Sequence, residues 1–347
     1  VDNIQFVLDT PGIANTQKSL KVQIDGLARP AFAYAYQLVE KSGNGDGLVQ
    51  KGESLGLHVT LKNVGAGKAH RVTISLKNDS KDLDNVIVNA GRFDVSDVAP
   101  GGQQNFDFAF DLGKDFGPDK LEFELVAVDT ETRVSLREAV RYPVRPPAAG
   151  PQAAGGLVRV RAAKALVYEG AANDAPVVAT AKKDTVFTVT GRESTWTRVD
   201  IGGRAGFVVS EMLAPARGQA RKQEVSAVWQ VTPPVITATA PALELAEKTW
   251  HLTGTAHDEK HVEDVYVLVY NRDAKIEGNK VFYRSNRANK DQAKLDFAAD
   301  VPLWPGNNMI TIVARENDEV QGVESFFVYR NDSAAVANNA SPLPPAP

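Results

Sequence analysis

The stretch "LGLHVTLKN" (55–63) alternates without a break: Leu55, Leu57, Val59 and Leu61 fall on one side, His58, Thr60 and Lys62 on the other. A side-chain period of two belongs to a pleated strand with one face in a core and one in water. The pattern recurs in "VTISLK" (72–77) with Val72, Ile74 and Leu76, and in "NFDFAF" (105–110) with Phe106, Phe108 and Phe110. It recurs again in "LEFELVAV" (121–128) with Leu121, Phe123, Leu125 and Ala127. Half-buried antiparallel strands broken by "NVGAGKA" (63–69) and "APGGQQ" (99–104) predict a β-sandwich over residues 1–145, leading segment included.

C-terminal to these strands, "VRVRA", "ALVYEG", "PVVATAKKDTVFTVTG", "WTRVDI" and "RAGFVV" crowd five short strands into residues 157–215, as a small closed barrel would. Sandwich patterning returns over 230–330 in "WHLTGTA", "DVYVLVY" and "NMITIVARE". The stretches 142–156 and 214–224, rich in Pro, Ala, Gly and small polar residues, read as exposed linkers. The tail 331–347 reads as disordered. No amphipathic helix stands out, so the predicted class is all-β: two sandwiches flanking a barrel.

Bulk composition narrows the function classes. The 347 residues, 43% hydrophobic and 24% charged, are enough for two or three cores. Lys plus Arg minus Asp plus Glu is 39 − 43 = −4, and with no long basic run this argues against nucleic acid and anionic membrane surfaces. The absence of cysteine removes disulfides, thiolate catalysis and cysteine zinc sites. No apolar run reaches the ~20 residues of a membrane span. The opening "VDNIQFVLDT" has neither an initiator Met nor a signal-peptide pattern, so the chain is read as part of something larger.

Site chemistry is concentrated in "SGNGDGLVQKGE" (42–53). Numbered as an EF-hand-type loop, it puts Ser42 at position 1, Asn44 at 3, Asp46 at 5 and Gly47 at the bend. The Leu48 carbonyl then stands at 7, Gln50 at 9 and Glu53 at the bidentate position 12. Calcium wants such hard oxygen donors, and two charged ligands imply a weak site, roughly 10⁻⁴–10⁻³ M. The alternative is a Gly/Asn/Asp hairpin loop whose carboxylates cap backbone amides.

"GESLG" (52–56) fits the nucleophile-elbow pattern, but that motif needs a helix after the serine and here a strand pattern follows Ser54. "HDEKH" (257–261) spaces His257 and His261 as a zinc helix would, yet it joins two strand patterns, where i and i+4 share no face. A solvated loop is the expectation. Trp196 and Phe207 either complete the small barrel's core or line a ligand groove, and they are its candidate ligand-binding residues.

Each unit also resembles a known family. "GNGDGLVQKGESLGLHVTLKNVGAGKAHRVTISL" (43–76) resembles bacterial immunoglobulin-like adhesion domains of the CARDB type. "KKDTVFTVTGRESTWTRVDIGGRAGFVVSEML" (182–213), with Trp196 and Ala205-Gly206-Phe207-Val208, looks like a bacterial SH3-type domain. The usual "NVRSGPS" opening is replaced by "VRVRAAKALVYEG". "VPLWPGNNMITIVAREND" (301–318) resembles a second immunoglobulin-like repeat in which "PGxNxI" precedes a core strand.

The domain order is similar to the region after the protease and PDZ domains of carboxyl-terminal-processing serine proteases of δ-proteobacteria. That resemblance implies a non-catalytic region, periplasmic or at the cell surface. It would position a protease within its own parent chain and bind substrate protein, peptidoglycan or another partner. A calcium-stiffened adhesin or stalk unconnected to a protease is the alternative. A hydrolase acting through Ser54, or through a metal at His257 and His261, is a third.

Overall fold

The computed structural model describes residues 2–8, 16–22, 28–217, 225–317 and 320–331. The predicted tail beyond 331 and residues 218–224 of the second linker lie outside them. The fold is all-β: among the described residues there are strands and one short 3-10 turn, Ser210–Met212. By contact the chain forms two compact units, Ala28–Thr232, and Val1–Leu27 with Pro233–Pro347.

The first unit holds a sandwich and the SH3-like domain. One sandwich sheet runs in the order Phe32–Ser42, Ser54–Asn63, Gln103–Leu112, Val86–Ala90. The other runs Val49–Gln50, Ser135–Arg145, Lys120–Asp129, Ala69–Asn78, Arg92–Val98. The alternating residues do what their period requires: Leu55, Leu57, Val59 and Leu61 are buried, as are Phe106, Phe108 and Phe110. Phe110 meets Phe123 of the opposite sheet with ring centroids 4.6 Å apart. Tyr34, also buried, donates its hydroxyl proton across the sandwich to the Leu136 carbonyl at 3.0 Å.

Asn63 explains the "N-V-G-A-G" stretch. Fully buried, it donates through Nδ2 to the carbonyls of Gly67 (2.8 Å) and Val98 (3.0 Å). Its Oδ1 accepts the amides of Ala31 (3.2 Å) and Gly65 (3.1 Å). One side chain thereby satisfies four backbone groups that the turn strands from any ladder.

The SH3-like domain is one antiparallel sheet enclosing its own core, which includes Val160, Val167, Phe187, Val199 and Val208. Leu213–Ala216, assigned in part to a linker by composition, is a strand paired with Leu157–Val160. The preceding connection is also tied down. Val144 and Arg145 pair in parallel with Val49 and Gln50. Gln152–Ala153 joins Val186–Glu193.

In the second unit, Asp2–Leu8 and Thr16–Val22 form an antiparallel hairpin. A further sandwich packs Val235–Ala238, Thr249–His257 and Lys294–Pro302 in one sheet. Its other sheet runs Glu244–Leu245, Gln321–Arg330, Gly306–Arg315, Asp264–Asn271, Ile276–Ser285. The "PGxNxI" asparagine, Asn308, is fully buried and donates to the Trp304 carbonyl at 2.7 Å while accepting the Trp304 amide at 2.9 Å. It is the counterpart in this sandwich of Asn63 in the first.

Candidate functional site

Strand Phe32–Ser42 ends in the Gly- and Asn-rich run that the chain needs to reverse direction, and the loop that follows is held by its own side chains. Asn44 Oδ1 accepts the Asp46 amide (2.9 Å) and Asp46 Oδ1 accepts the Leu48 amide (2.8 Å), two successive Asx turns. Glu53 Oε2 accepts the Gln50 amide at 2.8 Å. Glu40, unremarkable in the sequence, turns its carboxylate back onto the amides of Gly45 (2.5 Å) and Gly47 (3.2 Å).

This arrangement bears directly on calcium. An EF-hand-type shell needs oxygens converging on one point. Here Asp46 Oδ2 receives Asn44 Nδ2 at 2.9 Å and Gln50 Nε2 at 2.7 Å, so two amide nitrogens point where the cation would sit. Reversing those amides is opposed on their other sides: Gln50 Oε1 accepts the Ala148 amide (3.3 Å) and Asn44 Oδ1 accepts the Asp46 amide (2.9 Å), while Asn44 Nδ2 also donates to the Ala148 carbonyl (3.0 Å). Ser42 is exposed. Among the described residues no group of three or more acidic, His or Cys side chains is placed to hold a metal ion. In this arrangement the side-chain oxygens of Asn44, Asp46, Gln50 and Glu53 each accept a backbone amide, the capping role that is the alternative to calcium for the loop 42–53.

The loop has a different neighbour. The Ala171 amide donates to the Asp46 carbonyl at 2.9 Å. Gly47, at φ 73°, lies so close to the Glu169 carbonyl and the Phe207 ring that a Cβ there would meet the ring at 2.8 Å. Glu169, 3% exposed, accepts the Leu38 amide through Oε2 at 2.9 Å. Gln37 Nε2 donates to the Ala205 carbonyl at 2.6 Å. Along the outer edge of Phe32–Ser42, Gln230 imitates a strand. Its Oε1 accepts the Tyr36 amide (2.9 Å), its Nε2 donates to the Tyr36 carbonyl (2.8 Å), and Val231 bridges Tyr34. An edge open to pairing is thereby covered.

Burial sets the electrostatics. Glu169 is pushed up to about 8, chiefly by burial, against which the Leu38 amide pulls it down. Glu53 is pushed up to about 7, first by burial, then by Glu40 and Asp46. Tyr36 is also raised, by burial, then by Glu138 and least by Glu169; Tyr142 is raised by burial and then by Glu169.

Phe207 is fully buried and Trp196 is 6% exposed, meeting Tyr168 edge-on with centroids 5.1 Å apart. The two groove candidates are therefore brought into the interior, where Phe207 faces Gly47. Ser54 opens strand Ser54–Asn63 and donates to Asp111 Oδ1 at 2.6 Å, so no helix follows it and no elbow forms. His257 closes strand Thr249–His257, and Asp258 caps the amides of Lys260 (2.7 Å) and His261 (3.0 Å). Residues 258–261 form the loop, and His257 belongs to the strand before it.

Two features escaped the sequence. Glu169 sits inside the apolar "ALVYEG", where a lone acid among strand residues was the available signal. Arg204 follows a Gly-Gly turn and lines a cleft of about 250 Å³ with Gln37 and Thr60.

Residues 161–215 match the family model of the bacterial SH3 domain. No curated protein matches the chain. Among solved structures, a tetra-tandem repeat in the extending region of a large adhesion protein is similar at 13% identity and TM-score 0.23, over 95% of this chain and 81% of that one. Dimeric latent PorU from Porphyromonas gingivalis is similar at 12% identity and TM-score 0.21, over 87% and 34%. Escherichia coli alpha-2-macroglobulin activated by porcine elastase is similar at 10% identity and TM-score 0.23, over 94% and 37%. This chain thus spans about a third of the latter two. Scores this low carry no argument, and the family likeness that stands is that of residues 161–215 to bacterial SH3 domains.

Proposed function

We propose that this chain is a non-catalytic binding and scaffolding region of an exported bacterial protein. The observation that carries this reading is the bacterial SH3 match at 161–215, in a domain bonded to the β-sandwich through Glu169 and, by way of the Ala205 carbonyl, through Gln37. A binding domain held this way presents its ligand in a fixed orientation to whatever the sandwich is attached to. Peptide or peptidoglycan is the partner class, and the periplasm or cell surface the location that suits it. The loop 42–53 serves in this reading as the joint between the domains, with calcium the competing role for the same residues.

The test is co-sedimentation of the full chain with purified peptidoglycan sacculi, together with binding to an immobilised peptide array. Saturable binding to either, with the ligand recovered uncleaved, is the expected result. Binding to neither, or release of soluble fragments, overturns it.

Attachment to a carboxyl-terminal-processing serine protease rests on the resemblance of domain order. The coding sequence upstream of Val1 tests it: a PDZ module after a Ser/Lys protease core supports attachment, and further β-repeats support an adhesin or stalk.

A further inference from the structure

The turn Ile201–Arg204 is closed by its own hydrogen bonds. Gly202 and Gly203 both hold positive φ, 73° and 88°, as a two-residue hairpin turn requires. The Ile201 amide donates to the Arg204 carbonyl at 2.8 Å and the Gly203 amide to Asp200 Oδ1 at 2.7 Å. The turn delivers Arg204 into the cleft of about 250 Å³ between the sandwich strand Phe32–Ser42 and the SH3-like sheet. Among the described residues the Arg204 guanidinium makes no hydrogen bond or ion pair. Asp107 acts on it only from a distance, its Oδ1 already 2.7 Å from His58 Nδ1. Burial draws the Arg204 guanidinium below its usual range. Its nitrogens are not sealed from solvent, so the five-donor fork is free to face a ligand in the cleft.

The cleft's walls say what would pair with it. Ile201, Val178 and Val225 make one side apolar, while Thr60 and Gln37 supply polar edges. Its volume falls just under the roughly 300–1,000 Å³ of drug-sized sites, so it takes a small ligand or the end of a longer one. A guanidinium fork matches a carboxylate in bidentate fashion. One cation with Asp107 nearby suits a single negative charge and disfavours a dianion such as phosphate.

We propose that this cleft binds the terminal carboxylate of a peptide ending in small aliphatic residues, with Arg204 as the anchor. The site rests on the reading of the chain as a binding region and names the ligand chemistry of that reading. Both a protein C-terminus and a wall stem peptide present such a carboxylate.

The experiment is calorimetric titration of the full chain with an N-acetylated tripeptide ending in Ala-Ala, as free acid and as C-terminal amide, with inorganic phosphate as competitor. The free acid should bind, and the amide at least tenfold more weakly. Arg204→Gln should lose the same factor and Arg204→Lys should recover part of it. The acid-against-amide comparison uses unaltered protein and needs no variant to fold. Equal binding of acid and amide, binding of neither, an unaffected Arg204→Gln, or displacement by phosphate at the peptide's own concentration overturns the proposal. Peptides ending in D-Ala-D-Ala and L-Ala-L-Ala separate the sources, and a preference for either supports the site. If sacculi or array peptides still bind while the tripeptide does not, the cleft is rejected and the binding-region reading stands.

Discussion

Gly47 and Phe207 are partners: a Cβ built on the glycine would come within 2.8 Å of the phenylalanine ring. By sequence the glycine is the bend of a metal-type loop and the phenylalanine a residue of either the barrel core or a ligand groove; the fold places them against each other. Replacing Gly47 with Ala should cost about 1–2 kcal/mol for the left-handed backbone alone, with the approach of the Glu169 carbonyl adding to it. Urea unfolding measures this. A stability within error of the parent would mean that the contact is slack.

The raised carboxyls give stability a defined pH dependence. Glu169 holds its proton in the folded chain up to about 8 and releases it near 4.5 when unfolded; Glu53 does so up to about 7. Between about 4.5 and 8 the folded state therefore binds more protons, so stability is greatest at the acid end and falls as pH rises. Beyond that window these two groups add no further slope. Glu169→Gln should flatten the decline and leave the variant at least as stable as the parent at the alkaline end. Melting temperatures across the window decide it; a parent that gains stability with rising pH contradicts the assignment.

Calcium is open to a direct measurement. Because Asn44 and Gln50 aim amide nitrogens at Asp46, millimolar calcium should leave the melting temperature unchanged, and EDTA likewise. A weak site would instead stabilise by roughly 1 kcal/mol at that concentration. An upward shift abolished by Glu53→Gln would restore the metal role.

Asn63 and Asn308 do equivalent work in the two sandwiches. Asn63→Ala strands the amides of Ala31 and Gly65 and the carbonyls of Gly67 and Val98. At about 1–3 kcal/mol for each buried group left unpaired, four such groups set an expected loss of at least about 4 kcal/mol by chemical denaturation. A loss below about 1 kcal/mol would show that water replaces the side chain.

The strands were legible where burial is decided locally. The alternation of 55–62 and of Phe106, Phe108 and Phe110 reads directly as a core face, because neighbours in sequence share the same sheet. Glu169 was not legible, since the groups that bond its buried carboxylate, the Leu38 amide and Tyr142, are remote in sequence. Composition marked 142–156 as loose, but it does not report hydrogen bonds, and Ala148 is bonded to both Asn44 and Gln50. Loop 42–53 has the residue types of a cation site; which atom of each amide faces Asp46 is set by the Asp46 amide for Asn44 and by the backbone of Ala148, remote in sequence, for Gln50.

The central claim is that the sandwich and the SH3-like domain act as one body, joined through the edge of strand Phe32–Ser42. Native-state hydrogen exchange on the full chain tests it most directly, by comparing the Leu38 and Tyr36 amides with that of Val199 in the SH3-like core. Leu38 and Tyr36 donate only to Glu169 and Gln230, side chains from beyond the sandwich, so they exchange whenever the joint opens. Protection of all three amides within about tenfold of one another is predicted. Exchange of Leu38 and Tyr36 orders of magnitude faster, with Val199 still protected, would show two domains on a hinge and contradict the account.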